Sequence, residues 1–217
     1  MYTKFIVLTG KDIPKRIYKK ILDFDEEIFN KENTDFKVDT SMPRNILNSF
    51  LNKNISTTSI IYNNNSKKVV AYLQAFPLKH ELVEDLKYGE KSFKDITSND
   101  IEYYSPNKPL CLYIYSIGVA KKYRGKLLNF NIGNYPSGQK MINILINEFI
   151  NKLKQLETNN IIIDSILCEG VSKKGQEFAM KATGGQILFN NNDIGTMMCY
   201  SKFDINNFLN KNKKSIF

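Results

Sequence analysis

Apolar positions along the chain repeat with two periods, and the places where one period gives way to the other mark its elements. Lys4 to Leu8 has the β-branched and aromatic content of a strand. Asp12-Ile13-Pro14 then opens a helix, because a proline near the first turn loses no hydrogen bond, and Ile17, Ile21, Phe24 and Ile28 fall on one face of it. A polar stretch, Asn30 to Thr40, leads to Ser41, which predicts the cap of a second helix with Ile46, Leu47, Phe50 and Leu51 at helical spacing. Thr57 to Tyr62 and Lys68 to Phe76 are strands joined by the turn residues Asn63-Asn64-Asn65-Ser66. Leu110 to Val119 is a buried strand, and beyond Pro136 the period changes again. Met141, Ile142, Leu145, Ile146, Phe149, Ile150 and Leu153 make one helical face, with Ser137 expected to cap it. Asn160 to Cys168 is another strand, and Lys174 to Ala182 a short helix ending at Gly184-Gly185. Gln186 to Phe189 and Thr196 to Phe203 close the pattern as a hairpin, and the tail from Asn206 is expected to fray.

One stretch fits neither period. Leu78 to Lys108 is long for a connection between strands, and it holds Glu81, Glu84, Asp85, Glu90, Asp95, Asp100 and Glu102 out of 22 acidic residues in a chain of formal charge +9. It reads either as a partly helical, solvated excursion or as an acidic lid over a cationic acceptor. The basic excess does not point to nucleic acid. Only Arg16, Arg44 and Arg124 are arginines among 31 basic residues, and no dense stripe of arginines and aromatics appears. No apolar run approaches the roughly 20 residues that span a bilayer, and the N-terminus lacks the features of a signal peptide, so a cytoplasmic protein is expected. Cys111, Cys168 and Cys199 each lie in an apolar run without metal-type spacing, and His80 is the single histidine, so no metal site is expected.

The chemistry concentrates where the strand Leu110 to Val119 passes through a glycine-bearing loop into the helix. Arg124, Gly125, Lys126, Gly138, Gln139 and Lys140 lie between a strand end and a helix N-terminus, where free N–H groups and the helix dipole favour an anion such as a pyrophosphate. Val119 followed by Arg124-Gly125, and then a Gly-Gln pair before an amphipathic helix, resembles the acyl-CoA pyrophosphate loop of the GNAT acyltransferases. That family's pattern is roughly Val-x-x-x-x-Arg/Gln-Gly-x-Gly-x-Gly/Ala. Here Leu127 to Ser137 is inserted ahead of Gly138, a segment expected to be mobile until a ligand orders it.

The resemblance implies a single α/β domain over residues 1–217. Its mixed, mostly antiparallel sheet would have the order β-α-α-β-β-β-α-β-α-β-β, interrupted by insertions at about 78–108 and 127–137. It implies acetyl-CoA as cosubstrate, its pantetheine arm on main-chain groups of Ile117, Gly118 and Val119 and its pyrophosphate at Arg124 to Lys126 and Gly138 to Lys140. It also implies acetyl transfer, by direct attack in a ternary complex, onto a small-molecule or peptide amine. Family members often carry a Glu in the fourth strand, where this chain has Tyr113 and Tyr115, and a thiolate-protonating Tyr on the helix after the fifth strand, where it has Met180. Glu169, Tyr115 or water is left to take the amine's proton. The alternative is a noncatalytic acyl-CoA-binding or interaction module that kept the fold and lost the acid and base.

Overall fold

The computed structural model of the protein describes residues 4–31, 44–170, 172–183, 186–191 and 196–202. Seven strands form one sheet: β1 (Phe5–Thr9), β2 (Ser59–Asn63), β3 (Lys68–Leu78), β4 (Leu110–Val119), β5 (Ile163–Gly170), β6 (Gln186–Asn191) and β7 (Thr196–Lys202). Their spatial order is β1-β2-β3-β4-β5-β7-β6. Every neighbouring pair is antiparallel except β4 and β5, which run parallel because a whole helix carries the chain from one to the other.

Side chains alternate across the sheet, so each face carries its own apolar layer. On one face Leu110, Leu112 and Ile114 of β4 pack under α4 (Met141–Thr158), with Phe178 and Ala179 of α5 (Lys173–Thr183) beside them. On the other, Tyr72 and Phe76 of β3 and Cys111 and Tyr113 of β4 meet α1 (Lys15–Glu26), α2 (Arg44–Lys53) and α3 (His80–Lys87). The element order matches the sequence reading with α3 added between β3 and β4.

The long connection is core-forming rather than a solvated excursion. Leu82, Val83 and Leu86 of α3, followed by Phe93, Ile96 and Ile101, are buried in the layer on the α1 face. Its acids are largely used within the segment. Glu84, Asp85 and Glu102 pair with Lys87, Lys91 and Lys108, and Asp95 and Asp100 close capping boxes with Ser92 and Thr97. Lysines of the same segment thus offset three of these charges, while Asp95 and Asp100 are held by hydrogen bonds and keep theirs.

Ser137 does not cap α4, which starts four residues later with Lys140 at the capping position. The insertion accounts for the shift. The N–H of Ser137 is held by the Asn131 side chain, and Gly138 turns the chain with φ of 88°, a conformation costly for any residue with a Cβ. The expected cap at Ser41, the Gly184-Gly185 helix end and the tail from Asn206 lie outside the described residues.

Candidate functional site

The sheet opens in its middle. Strands β4 and β5 stay paired from Leu110 and Ile163 as far as Ile114 and Cys168, and there the ladder stops. Beyond that pair β4 continues on β3 to Val119, while Glu169 and Gly170 of β5 continue on Met198 and Met197 of β7. The edge of β4 from Ile117 to Val119 on the side of β5 therefore has no strand partner among the described residues, which leaves main-chain groups there available to an extended ligand. Ile117 and Val119 turn their side chains toward the α4 layer. Gly118 is a glycine because of a neighbour on the other face: a Cβ there would lie 2.6 Å from Ile28 Cδ1 and 2.8 Å from Tyr72 Cε1.

At the same level β4 bulges. Gln74 pairs with Ser116 and the next residue, Ala75, with Ile114, so Tyr115 is an extra residue on β4. The bulge puts Tyr115 and Ser116 side by side on the α1 face, with the Tyr115 ring 6.5 Å from that of Tyr113 and 6.2 Å from that of Phe76. Glu169 follows Leu167 at a spacing of two on β5, which places it on this same face. Burial, and after it the charge of Glu169, pushes the Tyr113 hydroxyl well above the usual tyrosine range. The two residues expected to act on an acceptor, Tyr115 and Glu169, thus flank the opening from opposite strands.

The loop after β4 is tightly built. Arg124 folds back, and its Nε and Nη2 donate to the Val119 carbonyl at 3.2 and 3.0 Å, which fixes the turn to the strand end. Gly125 follows with φ of 73°. The insertion from Leu127 to Ser137, expected to be loose, is pinned at both ends and in the middle: Leu128 N–H donates to the Gln139 carbonyl at 2.9 Å, and Leu128 and Ile132 are buried. Phe130 stacks on Phe5 with centroids 4.7 Å apart, and Tyr135 donates to Glu148 at 2.6 Å. One consequence bears on the anion site. The Gly138 N–H is taken by the Leu128 carbonyl at 2.7 Å, so Gly138 contributes a turn and not a donor. The N–H groups of Gly125, Gln139 and Lys140 have no main-chain partner among the described residues, and the first turn of α4 adds its own. Lys126 and Lys140 border these groups along the chain, and a helix N-terminus in general favours negative charge.

Three polar residues missed in the sequence sit under the opening. Asp25 of α1, Tyr72 of β3 and Ser116 of β4 are buried and joined in line: the Tyr72 hydroxyl donates to Asp25 Oδ1 and lies 2.6 Å from Ser116 Oγ. Burial raises the Asp25 carboxyl to about 6, the bond from Tyr72 holding it lower than burial alone would. Gln74, directly opposite Ser116 on β3, is fully buried with both amide atoms lacking a partner among the described residues. Asp25 lies four residues after Ile21 on the apolar face of α1, and Ser116 and Gln74 interrupt apolar strands; those interruptions were the available signal.

Met180, near the position of the family's proton-donating tyrosine, packs half-buried against the α4 layer. Cys111 and Cys168 are buried and outside any disulfide, the Cys111 thiol being pushed up to about 12 by burial. Among the described residues no group of three metal-ligating side chains occurs, and no helix is long and apolar enough to cross a membrane.

This architecture is the GNAT acyltransferase fold. One chain of the NatC complex bound to Gag peptide and CoA superposes with a TM-score of 0.54 at 13% identity, covering 93% of this chain and 100% of that one. Mosquito arylalkylamine N-acetyltransferase like 5b gives 0.52 at 13% identity over 92% and 100% of the two chains. A GNAT-family acetyltransferase from Streptococcus pneumoniae gives 0.51 at 10% identity over 92% and 99%. At such identities the likeness is one of fold. No protein-family model matches the sequence, and no curated protein matches it.

Proposed function

We propose that the chain, acting as one domain, transfers an acetyl group from acetyl-CoA directly to an amine. The observation that carries this reading is the parting of β4 from β5 immediately before a glycine turn and a helix N-terminus. An acyl-CoA has a matching shape: an extended pantetheine arm for the unpaired edge of Ile117 to Val119, and a pyrophosphate for the N–H groups of Gly125, Gln139 and Lys140 with Lys126 and Arg124 nearby. The NatC structure holds CoA together with a peptide, and the mosquito neighbour is named for an arylalkylamine, which supports an amine acceptor here.

In this reading the amine nitrogen attacks the thioester carbonyl. The new C–N bond forms, the C–S bond breaks, the nitrogen loses a proton, and the sulfur leaves as the thiol after taking one up from solvent. The protein's contribution is chiefly positioning, with a β4 main-chain N–H near Val119 polarising the carbonyl and Glu169 or Tyr115 near the nitrogen. Met180 in place of a hydroxyl-bearing side chain favours a second reading, an acyl-CoA-binding module without turnover. Calorimetry with CoA, paired with thiol release from acetyl-CoA over a panel of amines, distinguishes them. Binding with turnover is expected; binding without turnover supports the module, and failure to bind CoA overturns both.

A further inference from the structure

We infer that Ser116, Tyr72 and Asp25 form a proton relay that draws a proton from an N–H-bearing acceptor at the β4 bulge into the interior, with Ser116 touching the acceptor and Asp25 acting as the terminal sink. The inference rests on the acyl-transfer reading and adds to it a base other than Glu169 and Tyr115.

The direction of the chain follows from proton counting. Tyr72 has one hydroxyl proton, and it is donated to Asp25 Oδ1. The 2.6 Å contact between Tyr72 and Ser116 is then satisfied only if Ser116 donates to the Tyr72 oxygen. With its own proton directed inward, Ser116 Oγ presents lone pairs to whatever lies at the bulge, and lone pairs call for a donor. A protonated or neutral amine supplies N–H groups, whereas a carboxylate would not.

Position supports the assignment. Ser116 sits beside the extra residue Tyr115, on the segment of β4 that has left β5, so the outer end of the chain lies at the opening and the inner end in the interior. The chain is also physically held. Gly118 leaves the space into which the Tyr72 ring fits, and the Phe24 ring meets Tyr72 edge-on at 5.5 Å. Gln74 pairs with Ser116 across the ladder, its carboxamide buried and without a partner from the described residues. Leaving a buried amide of that kind unmet is costly, and the polar part of an acceptor next to Ser116 would offset that cost.

The step balances without a further reactant. As the C–N bond forms, the nitrogen's proton passes to Ser116 Oγ, the Ser116 proton to Tyr72, and the Tyr72 proton to the Asp25 carboxylate. The carboxylic acid then returns a proton to solvent by the same path, and the departing sulfur takes up one. Asp25 is suited to this role because burial brings its carboxyl to about 6, close to neutrality. The groups around it are few. Tyr72 faces it from β3, Tyr115 of β4 acts on Tyr72, Glu169 of β5 acts on Tyr113, and Arg44 of α2 is engaged with Asp23 and Glu26.

The test is the pH dependence of thiol release with the best amine of the panel, for wild type, Asp25→Asn and Ser116→Ala, with acetyl-CoA affinity measured in parallel. In the wild type kcat/KM should rise with pH through an inflection near 6, where Asp25 ionises. Asp25→Asn should lose that inflection and about 100-fold in kcat, the usual scale for a general base, with acetyl-CoA affinity unchanged. Ser116→Ala should likewise lose the inflection; as a small side chain in the strand it covers the case in which Asp25→Asn does not fold. Gln74→Leu should raise KM for the amine alone. Retention of both the rate and the inflection in Asp25→Asn, or in Ser116→Ala if only that variant folds, overturns the relay while acyl transfer stands. A wild type that turns over no amine overturns acyl transfer and the relay together.

Discussion

The ring of Tyr72 lies against Gly118 so closely that a methyl group at residue 118 would come within 2.8 Å of Cε1. Tyr72 is fully buried and bonded at its hydroxyl to two other side chains, so the ring has little room to yield. Gly118→Ala should therefore destabilise the protein by about 1–3 kcal/mol, as overpacking in a close-packed core does. Urea titration would show it as a lower midpoint at constant slope; an unchanged midpoint would mean that the ring moves freely.

Asp25 gives stability a pH dependence with a definite sign. Its carboxyl rises to about 6 in the folded protein, against roughly 3.9 in an unfolded chain, so the folded state binds the proton more tightly. This group's contribution to stability is fully present below the unfolded value and is lost as pH rises through the folded one. The loss amounts to about 3 kcal/mol. The difference in unfolding free energy between wild type and Asp25→Asn should accordingly favour the wild type more at the acid end of that window than at pH above 7. A flat difference would place the carboxyl outside the interior.

The insertion ahead of α4 should behave as core. Ile132 is fully buried, and truncation to alanine at such a site costs about 2–5 kcal/mol. Wild type should resist proteolytic nicking at 127–137 with or without acetyl-CoA, and Ile132→Ala should be nicked there. Cleavage of the wild type that CoA suppresses would restore the picture of a loop ordered by its ligand.

Neither buried thiol should become acetylated. Cys111, pushed up to about 12, carries a negligible thiolate fraction near neutrality, and Cys168 is buried as well. Intact-mass measurement after acetyl-CoA alone should show no stoichiometric adduct at either residue, and one chased off by an amine would establish a covalent route.

Most of this fold is legible because burial writes a period into the sequence. Strand β4 runs from Leu110 to Val119 as its composition predicts, and of the expected α4 face only Ile142 is less than buried. What failed were features set by particular hydrogen bonds and ion pairs, near in sequence or far, that leave no trace in the periodicity. Ser137 satisfies every local rule for a cap, yet Asn131 and Leu128 claim the backbone around it. The acidic stretch reads as a charged surface until its lysines and caps are seen in place. In the site, the glycines and the strand end stand out locally, but the loss of the Gly138 donor and the line from Ser116 to Asp25 depend on contacts across 10 and 91 positions of the sequence.

The bulge in β4 can also be read as a count. Nine residues, Cys111 to Val119, face eight on β3, Ala71 to Leu78, and Tyr115 is the surplus. Remove it and Ile114 would adjoin Ser116 with every later side chain still on its present face, a regular antiparallel ladder with nothing displaced. The ladder does not require Tyr115, which makes its deletion a direct probe: a protein that keeps its fold and loses its chemistry would show that the surplus residue serves the site and not the pairing of the strands.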